Sequence, residues 1–214
     1  MTTTILLIRH GETAWNAERR LQGHIDIALN PAGLAQAAAL GQALADQPLA
    51  AVIASDLSRA QQTAHAIAGL QNLPVQTDVL LRERCYGAFE GLLYADIAAR
   101  YPHEYAQWQS RQIDAVMPSG ERQAESFRQF YARSTDAIAE WASRYAGQTI
   151  AIVAHGGVLE CAYRAAVGMS LDSPRDFQVK NASVNRFSFA DGALHLVHWG
   201  DVEHLQAPAM DELG

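Results

Sequence analysis

The chain of 214 residues is 49% hydrophobic, enough to bury a substantial core, and one domain is the simplest count. Sixteen Lys and Arg against 23 Asp and Glu give a formal net charge of -7, which argues against nucleic acid or anionic membrane as partners but leaves room for a local cationic pocket. Cys85 and Cys161 are too few for a disulfide framework and lack metal-ligand spacing. No stretch approaches the roughly 20 apolar residues of a membrane span or resembles a secretion signal, so a reducing cytoplasm with two free thiols is expected.

Residues 5–8 read as a buried strand that stops at Arg9-His10-Gly11. Residues 15–27 are polar and aromatic, with Gly11 and Gly23 as punctuation, and predict a surface loop with one short helical turn. Asn30-Pro31 starts a helix, Asn30 as N-cap and Pro31 at the first helical position. Leu34, Ala37, Leu40 or Gly41, and Leu44 follow at helical spacing until Pro48. Residues 50–54 predict a second buried strand, and Ser55-Asp56 the cap of a helix with Leu57, Ala60, Ala64 and Ile67 on one face. Arg59 falls in its first turn, where a cation opposes the macrodipole and an anion would give it a reason to be there.

Residues 75–77 predict a short strand, and residues 79–84 lead into Gly87-Ala88-Phe89-Glu90-Gly91. Residues 94–112 read as a helix in two pieces broken at Pro102. Pro118-Ser119-Gly120-Glu121 marks a loop before an amphipathic helix over roughly residues 124–145, with Phe127, Tyr131, Ile138, Ala142 and Tyr145 on its apolar face and Gly147 at its end. The strand over residues 149–154 runs into His155-Gly156-Gly157 and a helix over residues 158–167. Residues 183–189 and 193–199 suggest a hairpin turned at Asp191-Gly192. Strands alternating with helices predict an α/β three-layer sandwich with a mainly parallel central sheet, helices on both faces and an antiparallel edge hairpin. It is expected as one domain over residues 1–206, with a flexible tail over residues 207–214.

Neither GxGxxG after a strand nor GxxxxGK[ST] occurs, so a backbone phosphate cradle is not the expected chemistry. Two apolar strands instead end in His-Gly, and strand ends are where open α/β sheets keep their chemistry. Arg9, His10, Asn16, Arg59, Glu83 and His155 all lie at or just after strand ends. A neutral imidazole can attack phosphorus, arginines can fork onto phosphoryl oxygens, a second histidine can donate to the same group, and a carboxylic acid can protonate the departing alkoxide. Against this stands a plain ion pair of Glu83 with Arg82 or Arg84, and Glu90 is a competing carboxylate. His195 and His198 alternate across a strand and make a poor chelate; with His204 they read as solvated edge histidines. Cys85 and Cys161 read as core thiols.

Arg9-His10-Gly11-Glu12-Thr13 with Trp15-Asn16, Ser55-Asp56-Leu57-Ser58-Arg59-Ala60 with Thr63, Leu81-Arg82-Glu83 and His155-Gly156-Gly157 together resemble the histidine phosphatase superfamily on its phosphoglycerate mutase-like branch. The resemblance spans about residues 4–199 in colinear order. It implies a nucleophile at His10, phosphate-binding arginines at Arg9 and Arg59, a second histidine at His155, a proton donor at Glu83 and no metal. It also implies that Asn16, Gln22, Gly23 and Gly156 line the phosphate and substrate pocket. Arg84 and Tyr86 are candidate substrate contacts, because Glu83-Arg84-Cys85-Tyr86-Gly87 is similar to the mutases' Glu-Arg-His-Tyr-Gly.

Other positions depart from the mutase pattern. The mutases' substrate lysine falls on Tyr94, the double arginine after their tryptophan on Gln109-Ser110 after Trp108, and Pro118-Ser119-Gly120-Glu121 is similar to the phosphatase members. The reading is therefore a metal-independent phosphatase of small phosphomonoesters working through a phosphohistidine on His10. Its alternatives are a phosphoglycerate mutase, which would need a bisphosphoglycerate primer, and a non-catalytic phosphoryl-ligand binding module. The expected partner is a small phosphorylated substrate, with a homodimer as the default assembly.

Overall fold

The aliphatic runs pair into six strands in a computed structural model that describes residues 1–211. They are β1 (Thr3–Arg9), β2 (Ala51–Ala54), β3 (Val75–Thr77), β4 (Thr149–Ala154), β5 (Val184–Ala190) and β6 (Ala193–Asp201). Their order across the sheet is β3-β2-β4-β1-β5-β6. The first four are mutually parallel, and β5 and β6 close the sheet as an antiparallel hairpin. β1, β2 and β4 read as unbroken apolar runs because helices cover both faces of the sheet.

There are seven helices among the described residues: α1 (Ala14–Ala17), α2 (Pro31–Ala43), α3 (Ser58–Gln71), α4 (Tyr94–Arg100), α5 (Pro102–Gln109), α6 (Phe127–Arg144) and α7 (Gly156–Val167). Side chains alternate across each strand, so Ile5, Leu7, Ile53, Ile150 and Ile152 meet α6 and α7 while Leu6, Ile8, Val52 and Val153 meet α2 and α3. The three-layer arrangement expected from the alternating elements is the one observed. α4 and α5 belong to a third apolar cluster, in which Leu21, Phe89, Ile97 and Met117 are buried against Tyr86, Tyr94 and Trp108.

Asn30 caps α2 as expected, accepting from the Gly33 amide at 2.7 Å with Pro31 opening the helix. The helix stops at Ala43, ahead of Pro48, and Leu34 is 49% exposed where an inward position was expected. Gly33 takes that place. A Cβ there would lie 2.0 Å from the Glu12 carbonyl oxygen, so only glycine lets α2 approach the segment after β1. α6 begins at Phe127, later than expected, because Ser126 and Gln129 form a reciprocal capping box. Its buried face is Phe130, Ala137, Ile138, Trp141 and Ala142, with Phe127, Tyr131 and Tyr145 half-buried at its margins.

The cap expected at Ser55-Asp56 is not what holds α3. Its N-cap position is Leu57, which makes no side-chain cap bond. The helix is capped from another segment: the Asp26 carboxylate accepts from the Ser58 amide and the Ser58 hydroxyl, both at 2.7 Å. Asp56 turns to Arg82 instead. The hairpin turns at Asp191 and Gly192, both at positive φ, as a tight two-residue connection requires. His195 and His198 are exposed on β6, whereas His204 is half-buried beside the Ala182 backbone and is not a solvated edge residue.

Of the segment expected as a tail, residues 212–214 lie outside the described residues. Before them, the Met210 carbonyl accepts from the Asn181 amide at 3.0 Å, and the Asp211 carboxylate pairs with Arg175 at 3.1 Å. No helix among the described residues is long and apolar enough to cross a membrane.

The cap supplied from a distant segment yields a stability prediction. Asp26→Ala lowers the unfolding free energy in urea by about 1 kcal/mol, the usual worth of an N-cap. An unchanged urea midpoint would show that the contact contributes nothing to holding α3.

Candidate active site

β1 and β4 are adjacent and parallel, with Arg9 opposite Ala154, so the next residue of each strand, His10 and His155, emerges side by side at the carboxyl edge of the sheet. Their rings lie 5.2 Å apart, centroid to centroid, in an edge-on arrangement. His10 Nδ1 is 2.6 Å from the Gly11 carbonyl oxygen. A carbonyl can only accept, so the ring proton sits on Nδ1 and Nε2 keeps its lone pair. The His10 backbone is fixed as well, its carbonyl accepting from the Asn181 side-chain amide at 3.0 Å.

His155 takes the opposite tautomer. Arg59 Nε donates to His155 Nδ1 at 3.2 Å, so the proton of this ring is on Nε2. That buried Nε2, like Nε of Arg9, has no hydrogen-bond partner among the described residues. A buried donor without a partner is costly, and these two belong to residues beside His10, one its chain neighbour and the other a ring 5.2 Å away. Burial first, and then the Arg59 and Arg9 guanidinium charges, push the His10 pKa well below 6.5. Burial and Arg59 do the same to His155. Both rings are therefore neutral at ordinary pH.

Arg59 is only 1% exposed although it carries a charge. Besides bonding His155, its two terminal nitrogens donate to the carbonyls of Ile25 at 3.0 Å and Gly23 at 2.8 Å. The arginine thus ties the loop after α1 to His155. Gly23 has φ +53, and a Cβ there would strike the Glu90 carboxylate.

Glu83 lies in the irregular segment between two short 3-10 turns, Val79–Leu81 and Gly87–Phe89, and is 4% exposed. The salt bridge to a neighbouring arginine is absent among the described residues: Arg82 pairs with Asp56, and Arg84 donates to the carbonyl of Glu125 at 3.0 Å. The Glu83 carboxylate instead accepts from the Arg84 amide at 2.7 Å and from the Gly157 amide at 3.0 Å. A Cβ at Gly157 would lie 2.3 Å from a Glu83 carboxylate oxygen, so a larger residue there would displace the carboxylate. The competing carboxylate Glu90 is occupied elsewhere, accepting from the His24 and Tyr86 amides.

The remaining predicted residues divide. Asn16 sits in α1, and its side-chain oxygen accepts from the Thr13 amide at 3.0 Å in a capping box. Gln22 is buried with its oxygen 3.1 Å from the Thr13 hydroxyl. Gly156 opens α7 directly after His155. Arg84 and Tyr86 do not join the histidines but stack on each other, 5.3 Å from guanidinium carbon to ring centroid. They line a cavity of about 140 Å³ with Tyr94, Trp108, Phe127 and Gly157.

Sequence reasoning missed several residues that shape this site. Gly157 was seen only as part of a motif. His24 and Arg133, whose donors meet the Glu83 carbonyl at 2.8 and 3.3 Å, gave no signal, because neither belongs to a local pattern. Arg111 and Arg175 also line the cavity. Each meets a carboxylate, Glu160 at 2.6 Å and Asp211 at 3.1 Å. Among the described residues no group of three or more His, Cys, Asp and Glu side chains is placed to hold a metal ion.

Comparison with known proteins gives a consistent picture. Residues 5–202 match the model of the histidine phosphatase superfamily (branch 1). The phosphoglycerate mutase-like protein 4 of Arabidopsis thaliana is 39% identical over 206 residues, covering 94% of this chain and 86% of the relative. The metal-independent phosphoserine phosphatase of the same plant is 38% identical over 208 residues, covering 96% and 84%. The solved structure of Bacillus stearothermophilus YhfR superposes with a TM-score of 0.86 at 34% identity, covering 94% of this chain and 98% of that one.

Two imidazoles held neutral in the fold make stability depend on pH. Once unfolded they regain a pKa near 6.5 and bind protons that the folded state refuses. Their contribution is complete above that value and is lost as pH falls below it, so the unfolding free energy in urea declines from about pH 7 to about pH 5. A His10→Gln, His155→Gln double variant shows a shallower decline over that range. An identical slope would mean that neither ring resists protonation.

Proposed function

The chain belongs to the histidine phosphatase superfamily (branch 1), and from that premise we propose that it is a phosphomonoesterase acting through a phosphohistidine on His10. The observation that carries this reading is the pairing of opposite tautomers. His10 offers a lone pair on Nε2, while His155 Nε2–H and Arg9 Nε offer buried donors that nothing else among the described residues uses.

In the first step His10 Nε2 attacks phosphorus. The P–O ester bond breaks, its electron pair goes to the leaving oxygen, and Glu83 supplies the proton that turns this oxygen into an alcohol. Arg9, Arg59 and His155 stabilise the charge on the three remaining oxygens. In the second step water attacks the phosphohistidine and gives its proton to the Glu83 carboxylate. The P–N bond electrons return to Nε2, and phosphate departs. No step needs a metal.

The substrate is a small phosphorylated molecule whose leaving group enters the cavity beside Glu83, where Gly157 is both a wall and the donor to the Glu83 carboxylate. Tyr94 and Gln109 line this cavity at positions where the resemblance puts mutase cations, and its added arginines, Arg111 and Arg175, are already paired with carboxylates. A bisphosphorylated carboxylate would find two of the three arginines there already paired with carboxylates, which supports hydrolysis over isomerisation. The name of the phosphoserine phosphatase relative supports the same choice. Arg84 and Tyr86 favour the mutase as the second reading, because they keep the mutase pattern and line the cavity. The two buried free thiols fit a reducing cytoplasm.

The test is phosphate release from 4-nitrophenyl phosphate and O-phosphoserine in excess chelator. The wild type stays active, His10→Ala loses activity by about a thousandfold or more, and alkaline quenching at the steady state traps an acid-labile, base-stable phosphoryl group on the wild-type protein alone. Retained activity in His10→Ala or abolition by chelator would overturn the proposal. Isomerisation of 3-phosphoglycerate outpacing phosphate release would establish the mutase.

A further inference from the structure

The loop after α1 touches both halves of the site. Its Gly23 and Ile25 carbonyls accept from Arg59, while the ring of the residue between them, His24, lies with Nε2 2.8 Å from the Glu83 backbone carbonyl. That carbonyl can only accept, so His24 Nε2 carries the proton and donates it. The His24 amide donates to Glu90 at 2.9 Å, which fixes the loop at its other end.

Followed atom to atom, these contacts form a closed circuit. His155 meets Arg59, Arg59 meets the carbonyls on either side of His24, and His24 meets Glu83. Glu83 meets the Gly157 amide, two residues from His155 in the first turn of α7. Arg133 of α6 supports the same link, donating to the carbonyls of Leu80 at 2.7 Å, Arg82 at 3.1 Å and Glu83 at 3.3 Å, with Glu125 holding its guanidinium on the other side. Glu83 sits in a segment without regular structure, so its position is set by these side-chain donors and not by a helix or strand ladder.

We infer that His24 is a positioning residue for Glu83, holding the carboxyl at the distance from the phosphoryl site that protonation of the leaving oxygen requires. The inference rests on Glu83 being the proton donor. His24 touches neither phosphorus nor the leaving group in this role. It acts through the Glu83 main chain, and a small displacement of an acid is enough to cost rate.

Leaving-group dependence separates this role from a merely structural one. A poor leaving group such as the alkoxide of ethyl phosphate needs the acid, whereas 2,4-dinitrophenolate departs without it. Loss of Arg59 or general loosening of the loop acts on the phosphoryl group and lowers both substrates alike. kcat/KM for each substrate reports transfer to His10, the step in which the leaving group departs.

Steady-state kinetics over ethyl, phenyl, 4-nitrophenyl and 2,4-dinitrophenyl phosphates are compared for wild type, Glu83→Gln, His24→Ala and His24→Gln, with thermal unfolding followed for each protein. Glu83→Gln loses about a hundredfold or more on ethyl phosphate and less than about tenfold on the dinitrophenyl ester. His24→Ala repeats that pattern at a smaller scale, about tenfold against less than about threefold, and His24→Gln, whose amide nitrogen can donate in place of Nε2, recovers most of the loss. Equal losses on all four esters in His24→Ala, no loss on any, or no recovery in His24→Gln would overturn the inference while leaving Glu83 as the acid. A leaving-group-independent loss in Glu83→Gln would instead remove the proton donor, and this inference with it.

Discussion

The whole site depends on burying positive charge, that of Arg59 above all, beside two imidazoles held uncharged. Arg59 is almost sealed from water, and charge in such a place is tolerated only when its donors are met. Two loop carbonyls and one ring nitrogen meet three of them. The same contacts fix the tautomer of His155, and burial together with the same charge keeps protons off His10. A lysine could not substitute, because a point charge cannot reach a ring nitrogen and two carbonyls in a fixed planar fork.

Much of this was legible in the residues. Apolar runs of strand length ending in His-Gly located His10 and His155 at one sheet edge, and Asn30-Pro31 announced its helix, because caps and buried strands are written in adjacent residues. What escaped was whatever depends on a partner far along the chain. Asp26 caps α3 from 32 residues away, so Ser55-Asp56 looked like the better cap. The inward face of α2 was misplaced at Leu34 because the close approach of the segment after β1 admits only Gly33, a residue without hydrophobic signal. In α6, Phe130 and Trp141 are buried at positions that fit the helical period as well as the residues first chosen.

The site divides the same way. Arg9, His10, Arg59 and His155 are brought together as their motifs suggested, since Arg9 ends β1, His10 and His155 follow β1 and β4, Arg59 lies in the first turn of the helix after β2, and the parallel register aligns these strand ends. Glu83 could have been an ion-pair partner for either flanking arginine, and only the tertiary structure shows Arg82 spent on Asp56 and Arg84 on a main-chain carbonyl. The supporting groups, His24, Arg133 and Gly157, carry no motif because they act on main-chain atoms or make room. Their importance is geometric and is set by segments that meet only in the folded state.

The strand order also governs when the molecule can be made. β4 lies between β1 and β2, so the two earliest strands are not neighbours and stay unjoined until residues 149–154 slot between them. A ribosome that has released only the first two thirds of the chain therefore holds a sheet with its middle missing. Closing a gap between such distant residues is an entropically slow event, and the two histidines meet only when it is complete. The central strand is thus the piece that brings His10 and His155 to one sheet edge.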